Sequence, residues 1–189
     1  MGRDEGLLSR VPYPVTRTTM PATTQRPIAV YQLHPAILAI AVLVALLLQT
    51  FLPLKIPLAR LMDFPLLITI YASLMRRDKL FGIAMGTGLG LLQDALAHGF
   101  IGIFGIAKAI VGYLAASASM RFELESLLAR TVLTGVFVLV HNICLEVLQH
   151  VLLEAPPPFQ PIATASAVLV NVALGLIIFQ ILDRFRRPA

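Results

Sequence analysis

Tryptophan is missing from this chain, cysteine occurs once, and charged side chains make up only 13% of its 189 residues. The lone Cys144 lies inside an apolar segment, which excludes an intrachain disulfide and says nothing about redox compartment. Without tryptophan, an aromatic belt at a membrane surface must come from tyrosine and phenylalanine. Scarce charge, 58% hydrophobic residues and a mean hydropathy of +0.84 exclude an ordinary soluble core and point to an integral membrane protein. Too little chain remains outside the apolar segments for a second globular domain.

Chemical machinery is scarce as well. The histidines have no metal-ligand spacing with cysteine or carboxylates. No serine or cysteine sits in a nucleophile elbow or phosphate loop, and no nucleic-acid-binding module is present. The expectation is a non-enzymatic protein with no catalytic residues, cofactor, metal or nucleic-acid partner.

What is there is a periodic arrangement of small residues. In the run from Leu80 to Ala97, Gly82, Gly86, Gly90 and Asp94 fall four residues apart, so a helix places them on one ridge. In lipid, close backbone approach at small residues packs helices together. The ridge therefore predicts a seam with a neighbouring helix, within the subunit or in a homodimer. Asp94, at its end, needs a partner, a hydrogen bond or water.

Around that run the chain divides into a tail over residues 1–33, a six-helix transmembrane domain over 34–183 and a basic end over 184–189. The tail carries Pro12, Pro14, Pro21 and Pro27 among threonines and arginines and reads as disordered. The first apolar segment begins too far from Met1 for an ordinary cleaved signal peptide, so it reads as a permanent anchor. The predicted spans are Pro35 to about Phe51, Leu54–Met75, Leu80–Ala97, about Ile101–Met120, Leu127 to about Leu153, and Ile162–Leu182. The second is the least regular: Pro57 and Pro65 suggest a broken or re-entrant start, and Arg60 and Asp63 form an i, i+3 pair that can neutralise itself near an interface. Lysine and arginine number twelve in the tail, the 76–79 turn, the 121–130 loop and the C-terminus, against Lys55 and Arg60 on the opposite side. That asymmetry predicts both termini in the cytoplasm.

With this topology Asp94 lies about 21 Å from the cytoplasmic start of its helix. Asp63, Asp94, Lys108, His141 and Glu146 all fall in the external half. On the fifth span Asn142, Glu146 and Gln149 form a stripe. Two readings stand: an outward-facing polar site made by Asp94, Lys108, His141, Asn142 and Glu146, or internal clamps such as Asp94–Lys108 and Glu146–His141 that set helix register.

The chain resembles the rod-shape-determining membrane protein family MreD. The residues that carry the resemblance are Asp63-Phe64-Pro65 at the second-span start, Gly86 to Asp94 on the third span, Gly102, and Ala107 to Leu114 on the fourth. The match covers about residues 35–182 in length and span count and is sharpest over 80–114. It implies a bacterial inner-membrane protein that pairs with MreC and acts beside MreB, RodA and the RodA-associated transpeptidase in lateral wall synthesis. The family also looks like a distant fold relative of the S components of energy-coupling-factor transporters, which implies as an alternative a subunit binding a small solute or lipid.

Overall fold

The computed structural model describes residues 31–97, 100–122, 126–155, 157–158 and 160–188. The sequence-predicted disordered stretch falls mostly on residues 1–30, outside the described residues. Six α-helices account for nearly all of the described fold: α1 (Pro35–Lys55), α2 (Phe64–Arg76), α3 (Lys79–Ala97), α4 (Ile103–Ser119), α5 (Leu127–Leu152) and α6 (Pro161–Asp183). Tyr31–Leu33 pairs antiparallel with Arg186–Pro188, so the start of the bundle and its end lie side by side.

Four helices, α1, α3, α5 and α6, are long and apolar enough to cross a membrane. Ile40, Leu43, Leu47, Phe51 and Leu54 all stand exposed on α1. In water so large an apolar face would drive association, whereas in lipid it is an ordinary surface. These helices mark a membrane-embedded protein. The other two are shorter: α2 has 13 residues and reaches about 20 Å, and α4 has 17 residues and reaches about 26 Å.

The shortest helix is the centre of the fold. Every residue from Phe64 to Leu74 is buried, and α2 is packed by α1, α3, α4, α5 and α6. Leu66, Leu67, Ile70, Tyr71 and Leu74 contribute to one apolar core with Val111, Val138 and Phe179. The sequence reading of one span over Leu54–Met75 is corrected here. The first helix runs on to Lys55, Pro57–Leu61 forms a 3-10 turn, and α2 begins only at Phe64. Two prolines explain the division, because neither Pro57 nor Pro65 has an N–H to continue a helix ladder, and each occupies a first-turn position.

Turn chemistry sets the other boundaries. Arg77 ends α2 in the left-handed region at φ 54°, and the Asp78 carboxylate then accepts from the N–H groups of Leu80 and Phe81 to start α3. Gly102, at φ 111°, turns the chain into α4. The helices α3 and α4 form the closest-packed pair of the bundle. Gly82, Gly86 and Gly90 all face α4: a Cβ at Gly86 would strike the Lys108 carbonyl, one at Gly90 the Phe104 carbonyl, and one at Gly82 the Gly112 carbonyl. Gly88, off this ridge, has nothing near its would-be Cβ.

Candidate functional site

The irregular segment between the 3-10 turn and α2 leaves backbone groups that no helix satisfies. At membrane depth such groups must find partners within the protein. Two side-chain amides supply them. Gln49 of α1 donates from Nε2 to the Met62 carbonyl at 3.1 Å and accepts at Oε1 from the Phe64 N–H at 3.0 Å. Asn171 of α6 accepts at Oδ1 from the Asp63 N–H at 2.8 Å and donates from Nδ2 to the Leu61 carbonyl at 2.7 Å. The break is thus held on two sides by amides that imitate backbone.

Asp63 is the product of that arrangement. Its Oδ1 accepts from the Leu66 N–H at 2.9 Å and caps α2, while its Oδ2 turns to the bundle interior. There Lys108 Nζ of α4 meets Oδ2 at 2.5 Å, and His141 Nε2 of α5 lies 3.2 Å from the same oxygen. Lys108 has no side-chain exposure and Asp63 has 14%. Phe104 closes the site from above: the Lys108 ammonium sits 5.0 Å from its ring centroid, and the His141 ring stacks on it at 6.3 Å.

Two clamps suggested by the sequence are not formed. Lys108 takes Asp63 as its ion-pair partner, not Asp94. The Asp94 carboxylate instead caps the next helix, accepting from the N–H groups of Gly102 at 2.9 Å, Phe104 at 3.1 Å and Gly105 at 3.2 Å. The reason is local: the first turn of α4 presents unpaired N–H groups toward α3, and an acceptor there is worth more than a distant cation. His141 likewise meets Asp63 and not Glu146, whose side chain makes no ion pair among the described residues. The proposed Arg60–Asp63 pair also gives way, because the 3-10 turn ends at Leu61 and the chain runs non-helical through Met62 and Asp63, so no helical turn stacks the two side chains. His98, offered as a partner for Asp94 at the helix end, lies outside the described residues.

Beside Asp63 lies a polar cavity of about 290 Å³, lined among others by Arg60, Gln93, His141, Asn142 and Asn171. A second of about 290 Å³ adjoins it, where Asn142, Glu146 and Gln149 of α5 face Gln160 and Thr164. So the structure brings Asp63, Lys108, His141 and Asn142 to one region, places Glu146 in the adjoining space, and assigns Asp94 and the glycine ridge to the α3–α4 seam. Pro65 sits in the first turn of α2, buried, and serves the break itself.

Sequence reading passed over Gln49, Gln93 and Asn171. Their signal is a lone amide inside an apolar span, whereas Asn142 is marked by its stripe with Glu146 and Gln149. It also treated Arg130 only as a topogenic charge. At the opposite end of the bundle Arg130 Nη1 pairs with Asp183 Oδ2 at 2.6 Å, and the Tyr71 hydroxyl donates to Asp183 Oδ1 at 2.9 Å. Among the described residues, no group of three His, Cys, Asp or Glu is placed to hold a metal ion.

A third space is apolar. Residues Ile40, Ala41, Val44, Ala45 and Leu48 of α1 face Ile178, Ile181 and Leu182 of α6 across a groove of about 430 Å³, with Phe64 and Ile68 of α2 beneath. Comparisons with known protein families, with curated proteins and with solved structures find no match to this chain.

Proposed function

We propose that this chain is a six-span scaffold of the bacterial cell-elongation machinery, of the MreD type. It lies in the cytoplasmic membrane with both termini inside, holds the transmembrane helix of MreC, and so helps position lateral wall synthesis by RodA and its transpeptidase near MreB. It performs no chemistry of its own. The observation that carries the reading is the apolar groove between α1 and α6. Its walls are side chains of ordinary membrane helices, and Ala41 and Ala45 of α1 lie at its lining, where small residues let a further helix come close. The α1 helix has little packing of its own, with Ala45 as its single buried residue, so a partner would complete its burial.

The test fills the groove without adding charge. Val44→Trp and Ile181→Trp, both at exposed positions, are expected to abolish co-purification with MreC and to leave host cells round while the protein still accumulates. Loss of rod shape in a variant that retains MreC would count against a pure scaffold. The polar cavity beside Asp63 supports a second reading, a solute- or lipid-binding subunit of the transporter S-component type. For that reading, substitution of Asn142 or Glu146 abolishes function and leaves complex assembly intact.

A further inference from the structure

The walls of the apolar groove are held by contacts that lie outside it. Its α1 wall packs mainly on α2, and its α6 wall mainly on α5. In lipid, apolar side chains gain little by leaving acyl chains for one another, so directional contacts weigh heavily in fixing the spacing of two such helices. Just beyond Leu48 of the groove, Gln49 of α1 fastens to the break at residues 61–64, and Asn171 of α6 fastens to the same break. At the other end Tyr31–Leu33, which leads into α1, pairs with Arg186–Pro188, which follows α6.

Asp183 supplies a third fastening. It is the last residue of α6, where a carboxylate opposes the helix dipole and brings α6 no local gain. Its oxygens reach two other helices. Oδ1 accepts from the Tyr71 hydroxyl of α2 at 2.9 Å, and Oδ2 accepts from Arg130 Nη1 of α5 at 2.6 Å. Charge-assisted contacts of this kind are short and directional. Tyr71 is 1% exposed and Arg130 7%, and the Tyr71 ring centroid stands 5.2 Å from that of Phe179, one turn earlier on α6. None of the three lines the groove, yet Ile181, Leu182 and Phe185, on either side of Asp183, do.

We propose that Asp183, held by Tyr71 and Arg130, is a positioning residue of the groove: it fixes the α6 wall at a set distance from α1, so that a partner helix enters a socket already shaped. The proposal rests on the scaffold reading. The buried face of α6 is narrow, comprising Asn171, Gly175, Phe179 and Leu182. A Cβ at Gly175 would lie 3.2 Å from Thr134 and 3.3 Å from Leu67, so α6 comes close to its neighbours there. Past that point only Phe179 and Leu182 are buried, and this is the stretch that carries the groove wall. Its place therefore depends on the anchor at Asp183. A wall that wanders is competent for only part of the time, and the apparent affinity of a partner falls by that fraction.

Purified full-length protein in lipid nanodiscs, in a Cys144→Ser background, is read in two ways. One is the distance between spin labels at Ala39→Cys and Arg184→Cys, exposed positions that do not line the groove. The other is titration with a peptide of the MreC transmembrane helix. Without peptide, the intact anchor should give one narrow distance. Asp183→Leu combined with Arg130→Met removes the anchor and both of its charges together. That double variant should broaden the distance and weaken peptide binding about tenfold, as expected if the competent spacing falls to about a tenth of the population. Should it fail to fold, Tyr71→Phe, which removes one hydrogen bond, should act in the same direction to a smaller degree. Val44→Trp, by contrast, should abolish binding while the distance stays narrow. A distance that stays narrow without the anchor would overturn the proposal, and so would a broadened distance with peptide binding intact. In either case loss of binding in Val44→Trp leaves the scaffold reading standing, whereas binding that also survives Val44→Trp removes that reading too.

Discussion

Lys108 has no side-chain surface exposed, so its ammonium depends on what the protein brings to it: Asp63 Oδ2 at 2.5 Å and the face of Phe104. Removing one member of such a pair strands the other charge, whereas removing both does not. Lys108→Met is expected to cost about 3–5 kcal/mol, read as a lower thermal midpoint in detergent. The double variant Asp63→Asn, Lys108→Met should recover a good part of that loss, because asparagine still caps α2 through Oδ1 while the charge problem is gone. A double variant no more stable than Lys108→Met alone would sink the pairing. Asp94→Ala should destabilise by about 1–3 kcal/mol, since three N–H groups at the head of α4 lose their acceptor. In double-mutant cycles the Asp63–Lys108 coupling should exceed the Asp94–Lys108 coupling. The sequence displays these acids and bases but not their pairing. Asp94 and Lys108 share a depth, which made them plausible partners, yet pairing is decided by helix rotation and by which backbone donors lie unpaired nearby. Asp63 looked interfacial because a span was assumed to begin there. With α2 only 13 residues long, Asp63 starts it from within the bundle.

The contact of α3 with α4 is the clearest case of an element readable from spacing alone. A four-residue repeat of glycine on a helix in lipid marks a close helix contact, and the structure makes α4 the partner: the facing carbonyls of Phe104, Lys108 and Gly112 occupy the room that side chains would need. Gly86→Ala should therefore overpack the seam and cost about 1–3 kcal/mol or reduce folded yield. Gly88→Ala, one position type away on an open face, should be neutral or stabilise by about 0.5–1 kcal/mol, because alanine suits a helix interior better. Equal effects at the two positions, compared by yield and thermal midpoint, would mean the seam is not close. The break between the 3-10 turn and α2 was only half legible. Pro57 and Pro65 announced it, but nothing local revealed that Gln49 and Asn171, from α1 and α6, would satisfy it. Such long-range amide clamps carry no periodic signal. Asn171→Leu should expose this dependence: the Leu61 carbonyl and the Asp63 N–H lose their partner, at a cost of about 1–3 kcal/mol each.

At the scale of the whole molecule, two features bear on orientation and both concern the same end. The antiparallel pairing of Tyr31–Leu33 with Arg186–Pro188 draws the start of α1 and the end of α6 together. Around that end run the turns that carry Arg76, Arg77, Lys79 and Arg121, with Arg130 and Asp183 paired beneath. Among the described residues the opposite end offers only Lys55 and Arg60 as lysine or arginine. Because translocation disfavours lysine and arginine in short connections, the basic end is expected to face the cytoplasm. On the scaffold reading proposed above, α2 and α4 are expected to complete the crossing although each is short. Each connects turns at opposite ends of the bundle, and α2 is shielded from lipid along its length, so it need not match the bilayer thickness by itself. Single cysteines placed in a Cys144→Ser background test this directly. A cysteine at position 157, in the α5–α6 turn, should react with an impermeant maleimide in intact spheroplasts. One at position 78, in the α2–α3 turn, should react only after the membrane is opened. Reaction at 78 from outside, or protection at 157, would reverse the topology, and with it the placement of the polar cavity toward the cell exterior.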